Sequence, residues 1–201
     1  TALLRSALEC ALPLAIYDCP NSVINGDDFL KIFTSKSTIE KIRIVPVIRN
    51  ADPPTKSGPS IARMYRRNLS VNDNYMIWPW LIEENYNNGI MDFVFIDDVL
   101  ATGQQASEFL QKLELHKFSN SRFSYIPLLA HQDGIDKLNE DHELVRVSPV
   151  ETLDKNSCFF TAEKMSQIHD LESLYLEVSK KFLNRRLFSK MAKGYNDMSL
   201  T

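Results

Sequence analysis

The chain has 201 residues, 44% of them apolar and 24% charged, and a net charge of −3, which allows one substantial core under an ordinary globular surface. That balance excludes the overall positive field that nucleic acid or an anionic membrane attracts. Cys10, Cys19 and Cys158 are odd in number and scattered, giving neither metal-ligand spacing nor a disulfide framework, so a reducing, cytoplasmic setting is expected.

The first residue is Thr rather than Met, so the natural start is expected upstream. The apolar stretch from Ala11 to Ile16 is preceded by Glu9 and broken by Pro13, too short for a membrane span or signal-peptide core. Leu14–Tyr17 carries a weak strand signal, and Asp27 is placed to cap a short helix through Phe33. Ile42–Ile48 reads as a strand, and Asn50 to Gly58, with Pro53-Pro54, as irregular. Ile61–Leu69 is the next helical candidate. Asn85 to Gly89 is Asn-rich and reads as a loop. Phe93–Ile96 is a fully apolar run, as in a central strand covered on both faces. Ala106, Phe109, Leu110 and Leu113 then form an apolar stripe on a helix starting near Gln104.

Phe123–Leu129 and Leu144–Val147 are further strands, and Thr152 to Ser157 is polar and irregular. Ile168, Leu171, Tyr175, Val178 and Phe182 define a long amphipathic helix after Thr161, with Glu163 in its first turn. The final "GYNDMSLT" places a Gly-Asn turn before the possible start of another strand. Strands alternating with helices imply an α/β fold with a mainly parallel central sheet flanked by helices. A single domain over 1–201 is expected, with a core at about 40–150 and flanking helical parts at 1–39 and 161–193.

The informative stretch is "FVFIDDVLATGQQ", where an apolar strand runs into Asp97 and Asp98. Two adjacent carboxylates are costly to bury and repel each other, so a place at the carboxyl end of a parallel strand, where ligands bind, accounts for them. The glycine-containing turn at Thr102-Gly103 then opens a helix, which directs backbone N–H groups inward as an anion cradle. Carboxylates for sugar hydroxyls or a metal beside a cradle for a phosphate suit a phosphorylated sugar.

"VFIDDVLATGQQA" resembles the phosphoribosyl pyrophosphate (PRPP) signature of the type I phosphoribosyltransferases, and "DDVLATG" is especially like the adenine-type enzymes. The resemblance implies that Asp97 and Asp98 hold the ribose hydroxyls and touch Mg²⁺ indirectly, through ribose or water. It implies that Ala101, Thr102, Gly103 and Gln104 hold the 5′-phosphate, with Gln105 next to them in the substrate-binding loop. Gln105 stands where the family usually carries a second hydroxyl residue. The family's pyrophosphate loop would fall in "RNADPPTKSG", with Arg49, Lys56, Ser57 and Gly58 covering pyrophosphate and Mg²⁺. The family also implies a small variable hood that selects the acceptor. "TKSG…IARMYRR", the motif above and "GYND" resemble a divergent branch of the fold found in prokaryotic conflict and defence operons, including retron effectors.

Two function classes follow. One is an enzyme transferring phosphoribosyl to or from a nitrogen nucleophile. The other is a non-catalytic subunit sensing PRPP or a nucleotide. Partners implied are PRPP or a nucleotide, a second copy in a homodimer, or a reverse transcriptase and its nucleic acid, with no membrane. Two readings compete for Asp97 and Asp98: a surface turn without function, since Asp favours turns and helix starts, and the Walker B strand of ATPases, which needs a Gly-Lys pair upstream that the chain lacks. Arg63, Arg66 and Arg67 share a helical face, read as solvated, with phosphate contact as the alternative. His131 reads as a turn residue or as a member of the ligand rim. Trp78 and Trp80 read as core packing, or as a lid or interface.

Overall fold

The computed structural model describes residues 2–12, 26–35, 41–53, 56–154, 157, 171–185 and 188. Among them a helix α1, Ala2–Ser6, continues as a π-helical turn, Ala7–Ala11, and is followed by α2, Gly26–Thr34. The chain then alternates through β1 Ile42–Pro46, α3 Ser57–Leu69, α4 Ile82–Asn87, β2 Asp92–Leu100, α5 Gln104–Lys112, β3 Arg122–His131 and α6 Gln132–Asp141. It continues with β4 Val145–Val147, β5 Glu151–Leu153 and α7 Leu171–Phe182. Two compact units divide it, Thr1–Thr152 and Leu153–Thr201; α7 belongs to the second. The expected strand at Leu14–Tyr17, the helix start near Thr161 and the terminal turn lie outside the described residues.

β1, β2, β3 and β4 lie side by side in chain order, each pair parallel, and β5 joins β3. Parallel neighbours need crossovers, and α3, α5 and α6 supply them. Along β2, Val94 and Ile96 point into one core with Leu8, Phe33, Ile44, Tyr65 and Ile126. Phe93 and Phe95 point into the other, with Phe109, Phe123, Tyr125 and Leu138. An apolar run without alternation therefore fits a strand covered on both faces, and the α/β reading holds. Among the described residues no helix is long and apolar enough to cross a membrane.

Several local expectations are corrected. β2 runs through the acid pair to Leu100, in register with β3 as far as Ala130, so the turn is confined to Ala101–Gly103. Ser57 and Gly58 begin α3 instead of closing an irregular loop. Asn85–Asn87 belong to a short helix, in which the Asn85 side-chain amide donates to the Leu81 carbonyl at 2.9 Å. The helix α6 had no counterpart in the sequence reading; Gly134 and seven polar residues hide its short apolar stripe of Ile135 and Leu138.

Candidate functional site

Asp97 and Asp98 stand in the carboxyl-terminal half of β2, half-buried, each stabilising its own strand. Asp97 Oδ1 accepts from the Asp98 N–H at 3.0 Å, and Asp98 Oδ1 from the Val99 N–H at 2.9 Å. The β3 residue opposite Asp97 is Pro127, which has no N–H to offer the ladder. Asp97 Oδ2 also accepts the fully buried Tyr125 hydroxyl at 2.5 Å. Burial pushes the Asp97 carboxyl up to about 7, the Tyr125 bond opposes that, and the neighbouring Asp98 adds to it. An acid that titrates near neutrality can both hold a sugar hydroxyl and exchange a proton.

Past the acids, Ala101, Thr102 and Gly103 form the turn, and Gly103 adopts φ +77, the left-handed conformation that favours glycine. The Gly103 carbonyl accepts the first bond of α5, from Ser107 N–H at 2.8 Å. A helix leaves its first N–H groups without intrahelical acceptors, so the Gln104 and Gln105 end of α5 faces the turn as a partial positive charge. Thr102 Oγ1 lies 3.5 Å from the Gln104 N–H. The turn rests on α6. A Cβ on Gly103 would come within 2.9 Å of the Gly134 carbonyl, and one on Gly134 within 2.3 Å of the Ala101 carbonyl.

The 49–58 segment meets this rim. Arg49, Lys56, Ser57, Asp97 and Gln105 line one cavity of about 40 Å³ with Asp52 and Phe109. Arg49 is held by Asp52 at 2.8 Å and reaches Glu108 at 3.5 Å, while Glu108 accepts Gln104 Nε2 at 2.8 Å. Lys56 Nζ lies 3.4 Å from Gln105 Oε1. Two cross-links thus tie the segment after β1 to the first two turns of α5. The hydrogen bond to Arg49 holds the Asp52 carboxyl below its ordinary range. Gly58 is not exposed to a ligand: it is buried, and a Cβ there would meet the Val47 carbonyl at 2.4 Å, so its role is to seat α3 on the end of β1.

Sequence reasoning missed Tyr125, Asp52 and Glu108. Asp52 and Glu108 carry no motif, and only the fold brings Tyr125 onto Asp97. His131 is no loose turn residue. It ends β3, 3% exposed, and its Nδ1 accepts the Asp133 N–H at 3.2 Å as the cap of α6. That bond places the ring proton on Nε2, which is buried without a partner among the described residues. Arg63, Arg66 and Arg67 are exposed, as a solvated face requires. Trp78 and Trp80 are 41% and 50% exposed, against the expectation of core packing.

No curated protein matches the chain. Among solved structures it is similar to the crystal structure of orotate phosphoribosyltransferase from Aeropyrum pernix, at 17% identity with a TM-score of 0.34. That match covers 55% of this chain and 58% of the other, so the chain spans little more than half the length of that relative. The family model described as PRTase-CE matches residues 1–201, from end to end. With the whole chain matched, and with a parallel sheet and an acid pair leading into a Gly103 turn, this protein belongs to the PRTase-CE family, a phosphoribosyltransferase-like family.

Proposed function

We propose that the chain binds PRPP or a nucleotide at the rim of residues 97–105 and 49–57, and transfers phosphoribosyl to or from a nitrogen nucleophile. One observation carries this reading: two adjacent carboxylates, Asp97 and Asp98, followed within five residues by a left-handed Gly103 turn that opens a helix. The acids accept the two ribose hydroxyls, and the turn with the first N–H groups of α5 receives the 5′-phosphate. Lys56, and Arg49 once released from Glu108, face the departing pyrophosphate. Arg49, Lys56, Asp97 and Gln105 line a cavity of about 40 Å³, and a pyrophosphate that engaged Lys56 and Arg49 would compete with the Lys56–Gln105 and Arg49–Glu108 contacts.

The donor set also bears on Mg²⁺. Among the described residues no cluster of three His, Cys, Asp or Glu side chains is arranged to hold a metal. Paired carboxylates without a protein cage suit Mg²⁺, which is usually held by one or two carboxylates, substrate phosphates and water. Asp97 and Asp98 would hold it through ribose or water; when bound, it neutralises charge on the pyrophosphate. The remaining work of the protein is positioning and electrostatic stabilisation of an oxocarbenium-like ribose.

A second reading is a sensor that binds PRPP or a nucleotide without turnover. Gln105 favours it, because an amide engaged by Lys56 stands at the start of the helix that follows the phosphate turn. Calorimetry with PRPP and Mg²⁺ tests both: wild type is expected to bind, and Asp97→Asn with Asp98→Asn to lose at least tenfold in affinity. Unchanged affinity in that double variant would remove the ribose assignment. Pyrophosphate release across a panel of bases separates transferase from sensor. We further propose that the protein acts in a defence operon, as a homodimer or with a reverse transcriptase and nucleic acid; gene neighbourhood and co-purification test that part.

A further inference from the structure

A second concavity lies at the edge of the sheet beside β1. Met76 pairs with Ile44 in parallel, and the Ile77 N–H donates to the Ile44 carbonyl at 3.0 Å, so residues 76–78 run along that edge. α3 flanks them with Pro59, Ala62, Arg63 and Arg66, one stripe at i, i+3, i+4 and i+7. Between them is a groove of about 340 Å³, floored by Pro46 and walled by Met76 and Trp78. Small-molecule sites run from roughly 300 to 1,000 Å³. Arg66 is tied to Asp73 at 2.5 Å on its rim. Arg63 has no ion-pair partner among the described residues, which leaves one uncompensated cation on a mainly apolar wall. Trp78 is braced by Trp80, with ring centroids 5.3 Å apart and planes 9° from parallel.

An indole held in place beside an uncompensated guanidinium recognises two things at once, a flat ring and a negative charge. Stacking on such a platform tolerates any base, because every base presents a flat π-face. We propose that this groove is a ligand site separate from the Asp97 cavity, and that it takes a planar aromatic anion, as nucleoside monophosphates and aromatic carboxylates are. Pro46 ends β1 next to the segment that lines the Asp97 cavity, and the start of α3 serves both places: Lys56 and Ser57 face that cavity, Pro59 faces the groove. The proposal does not depend on phosphosugar binding at the acid pair.

The chain has two tryptophans, both here, so its indole emission reports this place alone. Emission is followed while AMP, adenosine or benzoate is added to the full chain. Saturable quenching by AMP, by benzoate or by both supports the site and identifies which source of the anion it accepts. Adenosine, lacking the charge, is expected to bind at least tenfold more weakly than AMP. Arg63→Ala, a surface change, is expected to weaken the anion at least tenfold while leaving adenosine and PRPP binding as in wild type. Trp78→Ala should abolish binding by calorimetry. No saturable quenching by either anion, or equal AMP affinity in wild type and Arg63→Ala, overturns the proposal. Loss of AMP quenching in Asp97→Asn with Asp98→Asn also overturns it, since AMP would then occupy the acid pair. Failure of PRPP to bind, with AMP quenching intact, removes the phosphosugar reading and leaves this one.

Discussion

Tyr125 stands opposite Phe95 in the β2–β3 ladder and donates its hydroxyl to Asp97 Oδ2 at 2.5 Å, joining the buried core to the candidate ribose-binding acid. The ring is fully buried, so the carboxylate is fixed from beneath. A hydrogen bond to a charged group contributes roughly 1.5–3 kcal/mol. Tyr125→Phe is expected to lower stability by about 2 kcal/mol in urea denaturation. It should also move the Asp97 titration further up, because a contact opposing the effect of burial is gone; carboxyl NMR reads that shift.

The raised carboxyl couples to pH with a definite sign. Between its ordinary value of 3.8 and about 7, the folded chain keeps a proton on Asp97 that the unfolded chain releases. The stability from this group is full below about pH 4 and is lost as pH rises to about 7. Asp97→Asn mimics the protonated acid. It is expected to match wild type near pH 4 and to exceed it at pH 8 by on the order of 2 kcal/mol. Thermal denaturation across that range checks it; parallel curves would count against a perturbed Asp97.

Gly134 is expected to be intolerant of a methyl group. The Cβ of Gly134→Ala would sit 2.3 Å from the Ala101 carbonyl, a main-chain atom that cannot rotate away. Overpacking of this kind costs about 1–3 kcal/mol, occasionally more. The variant should lose about 3 kcal/mol in calorimetric unfolding, and bind PRPP weakly because the turn at Thr102 shifts with Ala101.

Glu108 competes with any anion for Arg49, with Asp52 holding the other side of the guanidinium. Removing that competitor is worth about 0.2–1 kcal/mol at an exposed pair, or up to about fivefold in affinity. Glu108→Gln is therefore expected to tighten PRPP–Mg²⁺ severalfold, and Lys56→Ala to weaken it. Isothermal titration on both variants measures the two directions.

What could be read from the chain alone was what neighbouring residues fix among themselves. Four apolar residues, two acids, a Thr-Gly step and an apolar helical stripe lie within about twenty positions, and strand, turn and helix follow from those local rules. The strand end was misplaced because Asp97 and Asp98 look like punctuation, whereas their side chains satisfy the strand's own N–H groups and prolong it. α6 went unseen because Gly134 resembles a turn residue, and what demands a glycine there is the Ala101 carbonyl from 33 positions earlier. Tyr125 and Glu108 reach their partners from 28 and 59 positions away, which no local spacing reveals. The tryptophans were misjudged from their hydrophobicity; a rigid indole pair at a sheet edge remains half in water.

The seating of α3 and α6 has one more effect. Each helix start is pressed, at Gly58 and Gly134, directly against a carbonyl oxygen of the segment that leaves β1 or β2. The outline of the recess is thus cast in main chain, independent of which side chains fill it. Residues such as Gln105 or Lys56 are free to be exchanged for others, retuning what the recess accepts, while its walls stay where the two glycines put them.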